Sequence, residues 1–127
     1  MAAHQTTILC IDYDERALLL RTKVLERSGD RVLSATNPGD AFRLLDSEPV
    51  AAIILDYFLG STTGAAVACE LHRRGTCTPV LMLSSSVYLP DDAHGLVDAF
   101  CAKIDGPLVL FDSLQRLLDH PAASPHN

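Results

Sequence analysis

The stretch Ala51-Ala52-Ile53-Ile54-Leu55-Asp56 decides the fold of this chain. Its apolar residues follow one another without polar alternation, which is typical of a strand buried on both faces of a parallel sheet. A second strand-like segment is predicted at residues 31–35. Three further apolar runs stop, like the first, at a polar side chain: residues 7–11 before Asp12, residues 79–83 before Ser84, and residues 99–102 before Lys103.

Helical spacing fills the segments between these strands. Asp14 is the predicted N-cap of a first helix that runs to about Arg27, with apolar residues at the i, i+3 and i+7 positions Ala17, Leu20 and Val24. The other helices are predicted after Asn37-Pro38 (with Ala41, Leu44 and Leu45), over Gly64, Val67, Ala68 and Leu71, in a short segment from Pro90, and over Leu110, Leu114, Leu117 and Leu118.

Five strands alternating with five helices predict an α/β fold. Right-handed crossovers leave a few doubly wound arrangements. We expect the flavodoxin-like five-stranded parallel sheet in the order 2-1-3-4-5, with helices on both faces. Residues 1–127 are expected to form a single domain, with a core at about residues 6–119 and a flexible tail at residues 120–127.

Composition excludes several classes of protein. The chain is 48% apolar and 20% charged, which is too hydrophobic for a disordered protein. Its formal net charge of -6 predicts no direct nucleic-acid binding. No basic-then-apolar leader opens the chain and no apolar run approaches about 18 residues, so we expect a cytoplasmic protein with no membrane association.

The four cysteines favour no metal site. Cys10, Cys69, Cys77 and Cys101 lack the paired spacing of a zinc site. Cys10 and Cys101 lie inside apolar runs, where a thiol behaves as a small hydrophobic group. We therefore expect both to be buried and reduced.

The residues that end the strands predict the position of a functional site. Ligands of doubly wound sheets bind at the carboxyl ends of the strands, where Asp12, Asp56, Ser84 and Lys103 are expected. Singly, these residues are ordinary turn formers, helix caps, loop hydroxyls or surface amines, but together they favour a site. Neighbouring first and third strands would let Asp12 and Asp56 share Mg²⁺, which takes one or two carboxylates and completes its shell with water and phosphate oxygens. Lys103 would balance the negative charge, and Ser84 would donate a hydrogen bond to a phosphoryl oxygen.

Four segments, in this order, resemble the receiver domain of two-component response regulators. Ile8-Leu9-Cys10-Ile11-Asp12 is similar to the first strand and acidic site of that family, and Ile53-Ile54-Leu55-Asp56, with Gly64 eight residues on, is similar to its phosphoacceptor strand and loop. Leu81-Met82-Leu83-Ser84-Ser85 resembles the strand that ends in Ser or Thr. Ala99-Phe100-Cys101-Ala102-Lys103 resembles the segment with an aromatic switch residue and a lysine. The resemblance covers about residues 6–119.

This resemblance implies a phosphorylation switch. Asp56 would be the nucleophile that accepts a phosphoryl group from a sensor histidine kinase or phosphotransfer protein, with Mg²⁺ held by Asp12 and Asp56. Lys103 and Ser84 would bind the phosphoryl oxygens, and Phe100 would change rotamer as Ser84 moves inward. Such a domain is not an enzyme, beyond promoting its own phosphorylation and dephosphorylation.

The signal is expected to leave through another protein, because no effector segment is apparent. Phe100 lies in the last predicted strand, so we expect a downstream protein partner to bind the short helix after Pro90, that strand and the last helix. A homodimer through the last strand and its flanking helices is a further expectation.

Three positions depart from the pattern of the family. Tyr13 replaces the usual second acid, and a phenol with a pKa of about 10 is a poor metal ligand at neutral pH. Asp14 would join the metal site only if the first helix started late. Ile104 follows Lys103 where a cis proline is usual, and a cis bond before another residue costs about 2.5–4 kcal/mol, which predicts a trans peptide. Gly60 stands at a position where proline is common in the family, and it is expected to loosen the loop after the third strand.

Other functions stay open at this point. Tyr13 and Ile104 favour a pseudo-receiver, which is an interaction module that is never phosphorylated. Asp12 and Asp14 also resemble the nucleophile and general acid of haloacid-dehalogenase-like phosphatases, although Glu15-Arg16 replaces the usual small hydroxyl turn. A flavodoxin is the third alternative, but the acidic first loop is unsuited to a phosphate cradle.

Overall fold

The structure, a computed structural model, describes residues 5–119. These residues form one five-stranded sheet in the order β2-β1-β3-β4-β5, with every neighbouring pair parallel. The strands are β1 (Thr7–Ile11), β2 (Arg31–Ala35), β3 (Ala52–Asp56), β4 (Val80–Ser84) and β5 (Ala99–Ala102). The predicted fold class and strand order are confirmed. The predicted tail at residues 120–127 lies outside the described residues.

Two layers of helices cover the sheet. The α-helices within residues 5–119 are α1 (Glu15–Arg27), α2 (Pro38–Ser47), α3 (Gly64–Arg73) and α4 (Gly106–Asp119). α1 and α4 pack on the face that carries Ile54 and Leu81, whereas α2 and α3 pack on the face of Ile53 and Met82. β3 and β4 are buried throughout because both faces are covered, which explains their unbroken apolar sequence. None of the helices in the described range is long and apolar enough to cross a membrane.

The buried face of α1 differs from the prediction. Leu18 and Leu25 are the buried residues of this helix, whereas Leu20 is 66% and Val24 43% exposed. The helix is confirmed, but Leu20 and Val24, whose spacing predicted it, are not the residues that face the core. Apolar side chains occupy adjoining positions of α1, so two stripes compete for the core. The stripe that is buried contains Arg21, whose charge has a partner described below.

The segment between β4 and β5 contains only a 3₁₀ turn, Asp91–Ala93, so the prediction of five helices was wrong. Pro90 precedes this turn, and Gly95 follows it with a φ of 79° that ends any helix. A side-chain contact also holds this turn, because the Tyr57 hydroxyl donates a hydrogen bond to the Asp92 carboxylate at 3.0 Å.

All four cysteines are free, as expected. Cys10 and Cys101 are buried in the α1 and α4 layer, whereas Cys69 and Cys77 are exposed. Burial raises the pKa of the Cys10 thiol to about 12, so this thiol stays protonated at neutral pH. The predicted burial of Cys10 and Cys101 is confirmed.

Asp30 is a buried carboxyl group outside the strand-end site. It is 8% exposed, its Oδ2 is buried without a hydrogen-bond partner, and burial raises its pKa. A raised pKa in the folded state means that the free energy of unfolding falls as the pH rises above the unfolded value of about 3.9. We expect Asp30→Asn to raise the free energy of unfolding at pH 7 by about 1 kcal/mol, with a smaller gain at pH 4.

Urea unfolding at the two pH values measures this effect. Asp46→Asn is the matched control, because Asp46 is an exposed aspartate of α2. A gain that is equal for the two variants, or equal at both pH values, would show that burial of Asp30 is not its cause.

Candidate functional site

The carboxyl edge of the sheet brings three of the predicted side chains together. Asp12 follows β1, Asp56 ends β3 and Lys103 follows β5, so the strand order places all three at one edge. The Lys103 ammonium Nζ lies 3.0 Å from Asp56 Oδ2 and 3.9 Å from Asp12 Oδ2. One cation is thus shared by two buried carboxylates. The peptide bond after Lys103 is trans, as predicted, since no peptide bond in residues 5–119 is cis.

Asp56 has one bonded and one unbonded carboxylate oxygen. Its Oδ2 accepts the hydrogen bond from Lys103, whereas its Oδ1 is buried without a partner. Desolvation raises the pKa of Asp56 to about 6, the negative charge of Asp12 adds to this increase, and Lys103 opposes it. The group still favours the carboxylate form at pH 7. Asp56 is therefore a buried carboxylate with one unpartnered oxygen at the end of a central strand.

Asp12 has a second cationic partner, Arg21, which sequence reasoning missed. The Arg21 guanidinium Nη1 lies 2.9 Å from Asp12 Oδ2, and the side chains are 11% and 0% exposed. Asp12 Oδ1 accepts a hydrogen bond from the backbone N–H of Asp14 at 2.9 Å. The available signal was spacing, because Arg21 falls between Leu18 and Leu25 on the buried stripe of α1.

Ser84 ends β4 at the same edge of the sheet, whereas Phe100 lies within β5. Ser84 is 4% exposed, and its Oγ accepts a hydrogen bond from the Ser86 backbone N–H at 3.1 Å. Within residues 5–119 no hydrogen bond joins Ser84 to Asp56 or Lys103. Phe100 is partly buried, pairs in register with Met82 of β4, and packs against the core on the α2 and α3 face.

Asp14 is occupied as a helix cap. Its Oδ1 accepts hydrogen bonds from the backbone N–H groups of Arg16 and Ala17, and α1 begins at Glu15. The condition under which Asp14 would join a metal site, a late start of the first helix, is therefore not met. In the described range no group of three or more His, Cys, Asp or Glu side chains is placed to hold a metal ion.

Tyr13, which stands in place of the second acid, packs on the loop after β3. Its ring meets Phe58 edge-on, with the centroids 5.8 Å apart. Gly60 adopts a φ of 79°, and a Cβ there would lie 2.6 Å from the Tyr13 ring. Glycine at this position thus permits both the positive φ and the close approach of Tyr13.

Two carboxylates remain as the donors for a cation. Mg²⁺ needs only one or two protein carboxylates, together with water and phosphate oxygens. The unpartnered Asp56 Oδ1 and the Asp12 carboxylate meet this requirement, so the residues fit Mg²⁺. Arg21 is the feature that opposes the metal, since it already neutralises Asp12.

Comparison with curated proteins finds transcriptional regulators. The chain is 29% identical over 123 residues to the transcriptional regulatory protein GltR of Pseudomonas aeruginosa, covering 93% of this chain and 51% of GltR. It is 32% identical over 89 residues to the alkaline phosphatase synthesis transcriptional regulatory protein PhoP of Bacillus subtilis, covering 70% of this chain and 37% of PhoP. The chain thus spans about half or less of the length of these relatives.

Solved receiver domains share the fold. A CheY-like receiver domain from Methanospirillum hungatei superposes with a TM-score of 0.82 at 20% identity, covering 92% of this chain and 96% of that one. The response regulator TrrA of Thermotoga maritima, solved in complex with Mg²⁺–BeF, gives a TM-score of 0.82 at 23% identity, with 90% and 100% covered. At these identities the likeness establishes the fold alone.

A family model described as the response regulator receiver domain matches residues 8–102. The matched stretch contains the five strands, apart from Thr7 at the start of β1, and includes Asp12, Asp56 and Ser84. Because the match covers most of the chain, the protein belongs to the family of response regulator receiver domains, which are signalling domains of two-component systems.

Proposed function

We propose that this chain accepts a phosphoryl group on Asp56 from a sensor histidine kinase or phosphotransfer protein. The observation that supports this most is the geometry of the Asp56 carboxylate, which is buried, with Oδ2 held by Lys103 and Oδ1 without a partner. In the transfer, an O–P bond forms at Oδ1, the P–N bond of the donor phosphohistidine breaks, and the imidazole nitrogen keeps the bonding electron pair. Positioning and charge balance are the main demands of this reaction.

The neighbouring side chains have separate parts in this proposal. Asp12 and Asp56 would hold Mg²⁺, without Asp14, and when bound the ion offsets negative charge on the phosphoryl oxygens. Lys103 would move from Asp56 Oδ2 to a phosphoryl oxygen, a short step from its 3.0 Å contact. Ser84 would exchange its bond to the Ser86 N–H for one to the phosphoryl group, and Phe100, two residues before the register partner of Ser84, would respond.

The output part of the proposal is protein–protein interaction. We place the surface for a downstream protein partner on the 3₁₀ turn Asp91–Ala93, β5 and α4, because β5 carries Phe100 and borders Ser84. A homodimer through β5 and its flanking helices is an alternative use of the same surface. The cytoplasmic location and the lack of nucleic-acid contact by these residues also belong to the proposal, and the formal net charge of -6 supports the second of them.

Phosphorylation by a small phosphodonor tests this function. We expect wild-type protein incubated with acetyl phosphate and Mg²⁺ to gain the mass of one phosphoryl group, and Asp56→Asn to gain none, as read by intact-protein mass spectrometry. Asp46→Asn, which alters an exposed aspartate, should behave like the wild type. An adduct that persists in Asp56→Asn would contradict the assignment.

The Arg21–Asp12 pair favours one second candidate, the pseudo-receiver. A site whose acid is already neutralised by a protein cation at 2.9 Å can keep its fold and partner surface without a phosphoryl group. Absence of any adduct on the wild type under conditions that phosphorylate another receiver domain would support this function over the first.

A further inference from the structure

Arg21 is built into the acidic site from the core side of α1. It lies between the buried residues Leu18 and Leu25, and its side chain is only 11% exposed. A charged group in such a position is costly unless it is paired. Its partner is Asp12 Oδ2 at 2.9 Å, so the pairing is a fixed part of the folded protein and not a surface ion pair.

The charges of the site are balanced without any metal. Asp12 and Asp56 supply two negative charges, and Arg21 and Lys103 supply two positive charges through contacts of 2.9, 3.0 and 3.9 Å. Both oxygens of Asp12 are engaged, Oδ1 by the Asp14 N–H and Oδ2 by Arg21. A divalent cation entering here would meet a guanidinium at contact distance from the same carboxylate.

The Arg21 side chain borders a cavity into which it can turn. A cavity of about 330 Å³ lies between α1 and α4, and Arg21 and Lys103 both line it. Its other walls are mainly apolar, and include Leu20, Val24 and Phe111. The cavity opens to solvent where Leu20 is 66% exposed. The stem of Arg21 can therefore turn along this cavity and carry the guanidinium into water while the α1 backbone stays in place.

We propose that Arg21 competes with Mg²⁺ for Asp12 and thereby sets the metal affinity of the unphosphorylated site. This inference rests on the metal site of the proposed function, but not on phosphorylation. Arg21 acts through Asp12 as a positioning residue: metal binds Asp12 only when the guanidinium leaves Oδ2 and moves along the cavity into solvent. The free site therefore binds Mg²⁺ weakly.

Titration of the unphosphorylated protein with Mg²⁺ alone tests the competition, followed through the backbone amide chemical shifts of residues 12–14. We expect Arg21→Gln to bind Mg²⁺ at least about tenfold more tightly than the wild type. The substitution removes the positive charge that contacts Asp12, and this charge repels the metal ion. Lys23→Gln is the matched control, since Lys23 is an exposed cation of the same helix, and it should leave the affinity unchanged.

Two further variants separate charge competition from a structural effect. Arg21→Lys keeps the positive charge and should stay close to the wild type. If Arg21→Gln unfolds, Arg21→Met retains an apolar stem between Leu18 and Leu25 and should show the same gain. Asp12→Asn combined with Arg21→Gln should bind no better than Asp12→Asn alone.

An unchanged or weaker affinity in Arg21→Gln, or an equal gain in Lys23→Gln, would overturn the inference. The proposed function fails by a different result, which is the absence of a phosphoryl adduct that depends on Asp56. Tighter Mg²⁺ binding in Arg21→Gln with no such adduct would sustain the inference and reject the function.

Discussion

Replacing Gly64 by alanine is expected to lower the free energy of unfolding by about 3 kcal/mol, because the new methyl group has no room. A Cβ at this position would lie 2.5 Å from the backbone carbonyl oxygen of Asp56 and 3.1 Å from Met82 Cε. The carbonyl cannot retreat easily, since β3 is a central strand and the Gly64 N–H donates to the Tyr57 carbonyl at 2.6 Å. Urea unfolding measures the loss.

Gly39→Ala is the control for this substitution. Gly39 lies in α2, and a Cβ there would meet only Asn37 Oδ1 at 3.4 Å and Arg43 Nη1 at 4.0 Å. Alanine is the better helix former by about 1 kcal/mol, so Gly39→Ala should be neutral or stabilising. A Gly64→Ala protein as stable as Gly39→Ala would mean that α3 does not approach the end of β3 as closely as described.

Replacing Lys103 by methionine is expected to slow phosphoryl incorporation about a hundredfold, the usual cost of removing one preorganised charged donor. Lys103 is the hydrogen-bond donor to Asp56 Oδ2, at 3.0 Å, and it lies 3.9 Å from Asp12. Without it, the two carboxylates repel each other, and a transferred phosphoryl group loses its counter-ion. The initial rate of adduct formation from acetyl phosphate, followed by intact mass, gives the effect.

Lys23→Met provides the comparison for Lys103→Met. It removes an exposed lysine from α1, and both substitutions change the net charge by the same amount. Its rate should match the wild type. Equal rates for the two variants would show that Lys103 has no part in the transfer.

The fold was predictable because its strands are recognisable in the sequence as short apolar runs. Unbroken apolar runs that stop at Asp12, Asp56 and Ser84 mark the central strands and their carboxyl ends, and the crossover rules reduce the possible strand orders to a few doubly wound ones. The same rules predicted that Asp12, Asp56, Ser84 and Lys103 would lie at one edge, because the carboxyl ends of parallel strands meet there. Asp12, Asp56 and Lys103 are in contact, whereas Ser84 bonds to its own loop.

The partners of these residues were less predictable, since they depend on helix rotation. α1 has apolar residues on several sides, so hydrophobic spacing alone favoured Leu20 and Val24 over the stripe that contains Arg21. A charged residue on a buried stripe signals a buried ion pair only when its partner is already known. The close approach of Tyr13 to Gly60 was not predicted either, because the two residues lie in loops that are far apart in the sequence.

The account depends most on Asp56 being the residue that carries the phosphoryl group. Reduction of the phosphorylated protein with borohydride converts an aspartyl phosphate to homoserine, and peptide mapping by tandem mass spectrometry then locates it. We predict homoserine at position 56 and at no other aspartate. A phosphoryl group mapped to another side chain, with an unmodified Asp56, would contradict the account.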